Sequence, residues 1–150
     1  MLELTYPATI KIDEDGRYLV TFPDVHGAVT DGVSKEEAFN EAQDCLSEAI
    51  AAAMVANETL TLPSPRKRGQ VLIALPAPLA TKALLYSALR EQKHSNTWLA
   101  AQLDVDEKEV RRMLDPYHAT KLPRVSEALQ VLGKEMVIGV REAGSTYNGK

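Results

Sequence analysis

One cysteine in 150 residues rules out an internal disulfide. Cys45 has no second thiol, and none of the three histidines, His26, His94 and His118, stands at metal-ligand spacing from it or from another histidine. No apolar run approaches the roughly 18 residues that a membrane span needs. The N-terminus lacks the basic region and apolar block of a secretory signal, so the expected location is the cytoplasm. There is no glycine loop for phosphate and no nucleophile elbow. Asp13, Glu14 and Asp15 share a hairpin turn, while Asp24 falls in a loop and Glu48 on a helix. Nothing draws them into the carboxylate cluster that a two-metal nuclease requires. The expectation is a protein with neither catalytic activity nor cofactor.

What is present divides in two. The whole chain carries a net charge of −4. Residues 1–76 hold 6 Lys/Arg against 12 Asp/Glu, and residues 77–150 hold 11 against 9. The acidic half suits a basic protein partner and repels nucleic acid, whereas the mildly basic half suits DNA.

In the acidic half, Leu2, Leu4, Tyr6, Ala8, Ile10 and Ile12 alternate with mostly polar residues, as in a strand with one buried face. Pro7 points to an edge position or a bulge. Asp13 to Gly16 makes a turn, and Arg17 to Phe22 alternates again, so an antiparallel hairpin is expected. A loop over Phe22 to Gly27 leads to a short third strand, Ala28 to Thr30, and Asp31–Gly32 turns the chain. Ser34 with Glu37 three residues later forms a capping box for a helix running to about Ala56. That helix buries Ala38, Phe39, Ala42, Leu46, Ala49, Ile50 and Ala53, with Cys45 packed beside the stripe. Residues 57–70 form a loop that exposes Arg66, Lys67 and Arg68. The apolar run Val71 to Leu75 fits a central or well-covered strand, and Pro76 and Pro78 mark a domain boundary.

The basic half centres on Ser95 to Leu114, which reads as two short helices joined by a tight turn. Leu99, Ala100 and Leu103 face inward on the first; Val110, Met113 and Leu114 do so on the second. Asp106 caps the second helix, with Glu109 at the capping-box position. Helices this short need partners to bury their apolar faces. Lys82 to Lys93 supplies Leu85, Ala88 and Leu89; Pro123 to Leu132 supplies Val125, Ala128, Leu129 and Leu132. This is the pattern of a helix-turn-helix, whose second helix enters the major groove. Asp104 occupies the turn position usually held by glycine, where Asp enters the left-handed region by local bonding. Lys108, Arg111 and Arg112 point away from Val110 and Met113, and the two arginines have the donor geometry for guanine edges. Asn96, Thr97, His118 and Lys121 are candidates for DNA backbone contacts. Trp98 reads as packing. A plain helical bundle without nucleic acid remains the alternative.

Tyr6, the Asp13–Gly16 turn, Phe22-Pro23-Asp24, Gly27, Thr30-Asp31-Gly32 and Glu37-Ala38 together resemble the HicB antitoxin family. The resemblance covers residues 4–76 closely and 80–133 more generically. His26 and Ala28 depart from it, since members often carry Pro and Cys around that glycine. The resemblance implies an α+β chain: a partial ribonuclease H-like β-β-β-α-β domain without nuclease activity, then an all-α helix-turn-helix domain. The boundaries expected are 1–76 for toxin binding, 80–135 for DNA, and 136–150 for a tail with a candidate dimer contact at Met136 to Val140. It further implies a HicA-like, RNA-cleaving toxin as partner and repression of the chain's own operon. Asp24, Asp31, Glu36, Glu37 and Glu41 are the candidate toxin contacts, with an ordinary solvated acidic surface as the alternative for each. Mixed charge on the recognition helix points to an oligomer, at least a dimer, on operator DNA. A stand-alone transcription regulator with a ligand- or protein-sensing first domain is the other functional reading.

Overall fold

A computed structural model of the chain describes residues 1–142. The elements run β1 (Thr5–Ile12), β2 (Tyr18–Thr21), β3 (Val29–Gly32), α1 (Lys35–Val55), β4 (Val71–Ala74), α2 (Ala77–Glu91), α3 (Asn96–Leu103), α4 (Glu107–Leu114) and α5 (Leu122–Val131). This is the α+β arrangement expected, β-β-β-α-β followed by helices. The chain separates into two compact units. One holds Met1–Ala49 and Thr61–Pro76 with residues 140–142; the other holds Ile50–Leu60 and Ala77–Gly139. The expected tail, 136–150, lies partly outside the described residues.

The first unit is an antiparallel sheet in the order β3-β2-β1-β4. The β1–β2 hairpin pairs Ile12 with Tyr18 and Thr9 with Thr21. Its turn is closed by Asp13, whose Oδ1 accepts from the backbone N–H groups of Asp15 and Arg17 at 2.9 Å each. Pro7 lies in the central strand, where a ladder bond would ordinarily be lost. The pairing resolves this. Leu75 donates to the Leu4 carbonyl at 3.1 Å, and Tyr6 stands opposite Ile73. Residues alternate in bonding direction, so Pro7 faces away from β4, on the side where pairing with β2 begins only at Thr9. Locally it is an edge. β4 differs from the sequence reading: it is an edge strand, buried at Val71 and Ile73 and half-buried at Leu72 and Ala74. An apolar run of four residues does not distinguish full cover from half cover.

Tyr6, Ala8, Val20, Ile73, Ala38, Ala42 and Leu46 are the buried core of this unit. Helix α1 starts with its capping box: Ser34 Oγ accepts from Glu37 N–H at 3.1 Å, and a Glu37 carboxylate oxygen accepts from Val33 N–H at 2.9 Å. Gly32, read from sequence as a turn residue, is instead the last residue of β3. A Cβ there would lie 2.4 Å from the backbone nitrogen of Ala38, so glycine is needed for the strand to meet the helix.

In the second unit α2 begins at Ala77, five residues before the sequence reading placed it. Pro78 sits in its first turn, where the missing N–H has no intrahelical partner to lose. The proline that ends a strand here also opens a helix. Leu85, Ala88, Leu89, Leu99, Ala100, Val110, Met113, Val125, Ala128, Leu129 and Leu132 form one buried cluster, all of them expected from helical periodicity, while Leu103 and Leu114, expected with them, pack against it half-buried. Residues 57–59 belong to this unit because they accept from α2. Tyr86 Oη donates to Glu58 O at 2.6 Å, and Arg90 donates to Asn57 Oδ1 at 2.8 Å.

Candidate functional site

Each helix of the α3–α4 pair is built by local chemistry. Ser95 Oγ accepts from Trp98 N–H at 3.0 Å and starts α3. Asp104 ends it at φ 54°, ψ 46°, in the left-handed region. Val105 N–H reaches back to Ala100 O at 3.0 Å and Asp104 N–H to Ala101 O at 3.4 Å, which makes a Schellman ending. Asp106 Oδ1 then accepts from Glu109 N–H at 2.9 Å and opens α4 only two residues later. Val110 and Met113 are buried, so Lys108, Arg111 and Arg112 are left on the exposed side.

Both carboxylates on α4 have arginine partners. Glu107 binds Arg111 at 3.0 Å, and Glu109 binds Arg124 of α5 at 3.6 Å. Exposed pairs of this kind contribute about 0–1 kcal/mol. Asn96 and Arg111 line one open cleft of about 670 Å³ with Tyr86, Arg90 and Leu114. Thr97 and His118 are exposed, and Lys121 is exposed at the N-terminal boundary of α5 with no side-chain capping bond. Trp98 packs against the helical core and stacks on His94, ring centroids 3.5 Å apart and planes 6° from parallel.

Sequence reasoning passed over Lys82. It is buried, 3% exposed, and its Nζ donates to Arg112 O at 2.9 Å, Met113 O at 3.0 Å and Thr120 Oγ1 at 2.7 Å. All three ammonium hydrogens have an acceptor. Burial pushes the Lys82 ammonium below its usual pKa, with Asp115 acting in the opposite sense. The available signal was a lysine at helical spacing, three residues before Leu85 and seven before Leu89, on the buried side.

The acidic candidates of the first unit are placed differently. Asp24 Oδ2 accepts from both the N–H and the hydroxyl of Ser64, at 2.8 and 2.9 Å, so it ties the Phe22–Gly27 loop to the chain before β4. Asp31 takes two bonds from the Arg17 guanidinium, at 2.8 and 3.2 Å, which lower its carboxyl pKa. Glu37 serves the capping box. Glu36 and Glu41 are exposed on α1. Tyr6 is fully buried and donates to Thr61 O at 3.0 Å; burial first, then Asp24, push its hydroxyl up to about 12. Burial and Glu48 also raise the Cys45 thiol, which makes it a poor nucleophile at neutral pH. Among the described residues no group of three or more His, Cys, Asp or Glu is placed to hold a metal ion, and no helix is long and apolar enough to cross a membrane.

The fold is thus a small antiparallel sheet backed by one helix, followed along the chain by a helical unit that holds a capped helix-turn-helix. Residues 5–84 match the HicB-like antitoxins of bacterial toxin-antitoxin systems, and the chain belongs to that family. It is 33% identical over 137 residues to Antitoxin HicB 1 of Photorhabdus laumondii, covering 91% of this chain and 87% of that one. Against Antitoxin HicB of Escherichia coli K12 it is 33% identical over 133 residues, 89% and 96% of the two chains. Antitoxin HicB of Pseudomonas fluorescens is 30% identical over 124 residues, 81% and 82%. The chain is an antitoxin of a toxin-antitoxin system.

Proposed function

We propose that this antitoxin neutralises a HicA-like mRNA-cleaving toxin through its first unit and represses its own operon through its second. It acts in the cytoplasm, without catalysis of its own, as an oligomer with at least two chains on the operator. The observation that carries the DNA reading is the left-handed Asp104 turn between two capped helices, with Lys108, Arg111 and Arg112 on the exposed side of the second. Arg111 and Arg112 read bases; Asn96, Thr97, Lys108 and Lys121 hold the backbone. The −6 charge of residues 1–76 supports attraction to a basic ribonuclease, with Asp24, Asp31, Glu36, Glu37 and Glu41 at or beside the contact. Three apolar residues of the tail, Val137, Ile138 and Val140, are exposed and support a contact between copies.

The test has two arms. Co-expression with the adjacent small gene, followed by affinity purification, should recover a complex in which RNA cleavage is blocked. Titration of operator and scrambled DNA at fixed salt should show Arg111→Ala and Arg112→Ala each losing about 1–3 kcal/mol on operator alone. Both residues are exposed, so folding should be unaffected. Wild-type operator affinity in the double variant would remove α4 from the DNA interface.

A further inference from the structure

We infer that Lys82 is a positioning residue of the operator-binding face, holding the end of α4 and the chain that follows it in the geometry DNA requires. The inference rests on α4 being the operator helix. Lys82 comes from α2, and its ammonium sits at the C-terminal end of α4, where carbonyls lack intrahelical donors and carry partial negative charge. It binds the backbone oxygen of Arg112, whose own side chain is exposed. It also binds Met113 O and Thr120 Oγ1, and Thr120 directly precedes Lys121. One buried ammonium thus fixes the backbone of a proposed base reader and the residue next to a proposed phosphate contact.

A hydrophobic side chain in this place fills the space and takes a donor away from all three acceptors. The C-terminus of α4 and residues 115–121 then lose their common anchor. The bonds that remain there are short-range: Asp115 N–H to Arg112 O at 3.3 Å, Tyr117 N–H to Asp115 Oδ1 at 2.9 Å and His118 N–H to Asp115 O at 3.2 Å. Lys82 is too buried to touch DNA itself, so its effect passes through these residues.

The experiment uses full-length Lys82→Met, compared with wild type well below the melting temperature of either. Amide hydrogen exchange should accelerate over residues 113–121 and stay unchanged in α2 and α3. Operator affinity should fall about tenfold or more, with affinity for scrambled DNA nearly unchanged, because misplacement damages base readout before phosphate contact. The salt dependence of binding should keep its slope. A slope reduced by about one would show that the substitution removes a phosphate contact rather than misplacing the base readers, and would overturn the inference. Unchanged exchange over 113–121 would overturn it as well, and so would equal loss on operator and scrambled DNA. If wild type binds no operator, the DNA reading itself fails, while the exchange arm still decides whether Lys82 anchors α4. Should Lys82→Met not fold, Thr120→Val removes one of the three acceptors, and the same pattern is expected at about threefold.

Discussion

The two units use their charged residues in opposite ways. In the sheet unit, Asp24, Asp31 and Glu37 each bind a group of their own chain: Ser64, Arg17 and the Val33 amide. In the helical unit, Lys108, Arg112 and Lys121 are exposed, and Lys82, the one buried charge among the described residues, serves backbone oxygens. The difference follows from architecture. The β1–β2 turn, the segment before β4 and the start of α1 leave backbone amides to satisfy, and Asp13, Asp24 and Glu37 satisfy them. Capped helices satisfy their own backbone, so the polar side of α4 is left to face outward. Sign of charge alone therefore locates a candidate surface better on the helices than on the sheet.

The comparison is broken most forcefully at Gly32. Gly32→Ala places a methyl group against the backbone of Ala38, which cannot yield as a flexible side chain would. Denaturant titration should show a loss of about 3 kcal/mol or more, with the sheet unit failing to fold in the limit. Stability within about 0.5 kcal/mol of wild type would show that the approach of β3 to α1 is looser than the structure has it.

Tyr6 sets the next largest effect, and it is a function of pH. Its hydroxyl ionises near 10 in an unfolded chain and at about 12 here. The stability it contributes is complete below pH 10 and is lost as pH rises towards 12, at about 1.4 kcal/mol per pH unit and roughly 3 kcal/mol in all. Tyr6→Phe loses the bond to Thr61 O at neutral pH, and its stability curve between pH 10 and 12 should be flatter than that of wild type. Parallel curves for the two proteins over that range would show that Tyr6 is not the titrating group.

Much of this could be read from the sequence, and the exceptions have physical causes. Helical periodicity supplies a sum over many residues, so the residues of the buried cluster of the second unit, from Leu85 to Leu132, were legible, with Leu103 and Leu114 read as deeper than they are. Caps are local signals, and Ser34, Asp106 and the left-handed Asp104 were equally legible. The role of Gly32 was hidden because a glycine demanded by a neighbouring helix looks the same in sequence as one demanded by a turn. The partner of Asp24 lies 40 residues away in an irregular segment, and nothing in the spacing announces Ser64. Lys82 was concealed by the general rule that lysines face water, which fails where the carbonyls that end a helix take up the ammonium. β4 was misplaced within the sheet because its four apolar residues carry no mark of which neighbour they lack.

A pair of charge substitutions separates structural carboxylates from contacting ones. Asp24→Ala should lower the stability of the sheet unit by about 1–3 kcal/mol, since it leaves a half-buried loop without its bonds to Ser64. Glu41→Lys, on the exposed side of α1, should leave stability within about 0.5 kcal/mol of wild type. It should slow toxin association measurably at low salt, with the difference fading as salt is raised. Equal effects of both substitutions on stability, or none on association, would remove the division between the two groups.

The smallest effect, and the one that runs towards greater stability, is at Asp104. A non-glycine residue at φ 54° and ψ 46° bears a steric cost that glycine does not, and Asp offsets only part of it. The Schellman bonds at Asp104 run through the backbone, with Asp104 N–H to Ala101 O and Val105 N–H to Ala100 O, and glycine preserves both. Glycine also enlarges the conformational freedom of the unfolded chain, which opposes the gain. For Asp104→Gly the balance should be a stabilisation of the helical unit by a few tenths of a kcal/mol, up to about 1 kcal/mol. Removing one negative charge beside α4 should at the same time tighten binding to operator and scrambled DNA alike, because it acts through the field and touches no base. Asp104→Ala keeps the steric cost and replaces Asp with a residue that tolerates the left-handed region less well, so it should move stability the other way, by about 1 kcal/mol. The order glycine variant, wild type, alanine variant, from highest melting temperature to lowest, is what a left-handed turn demands. If the alanine variant proved the most stable of the three, the turn between α3 and α4 could not have the backbone that gives the second helix its angle.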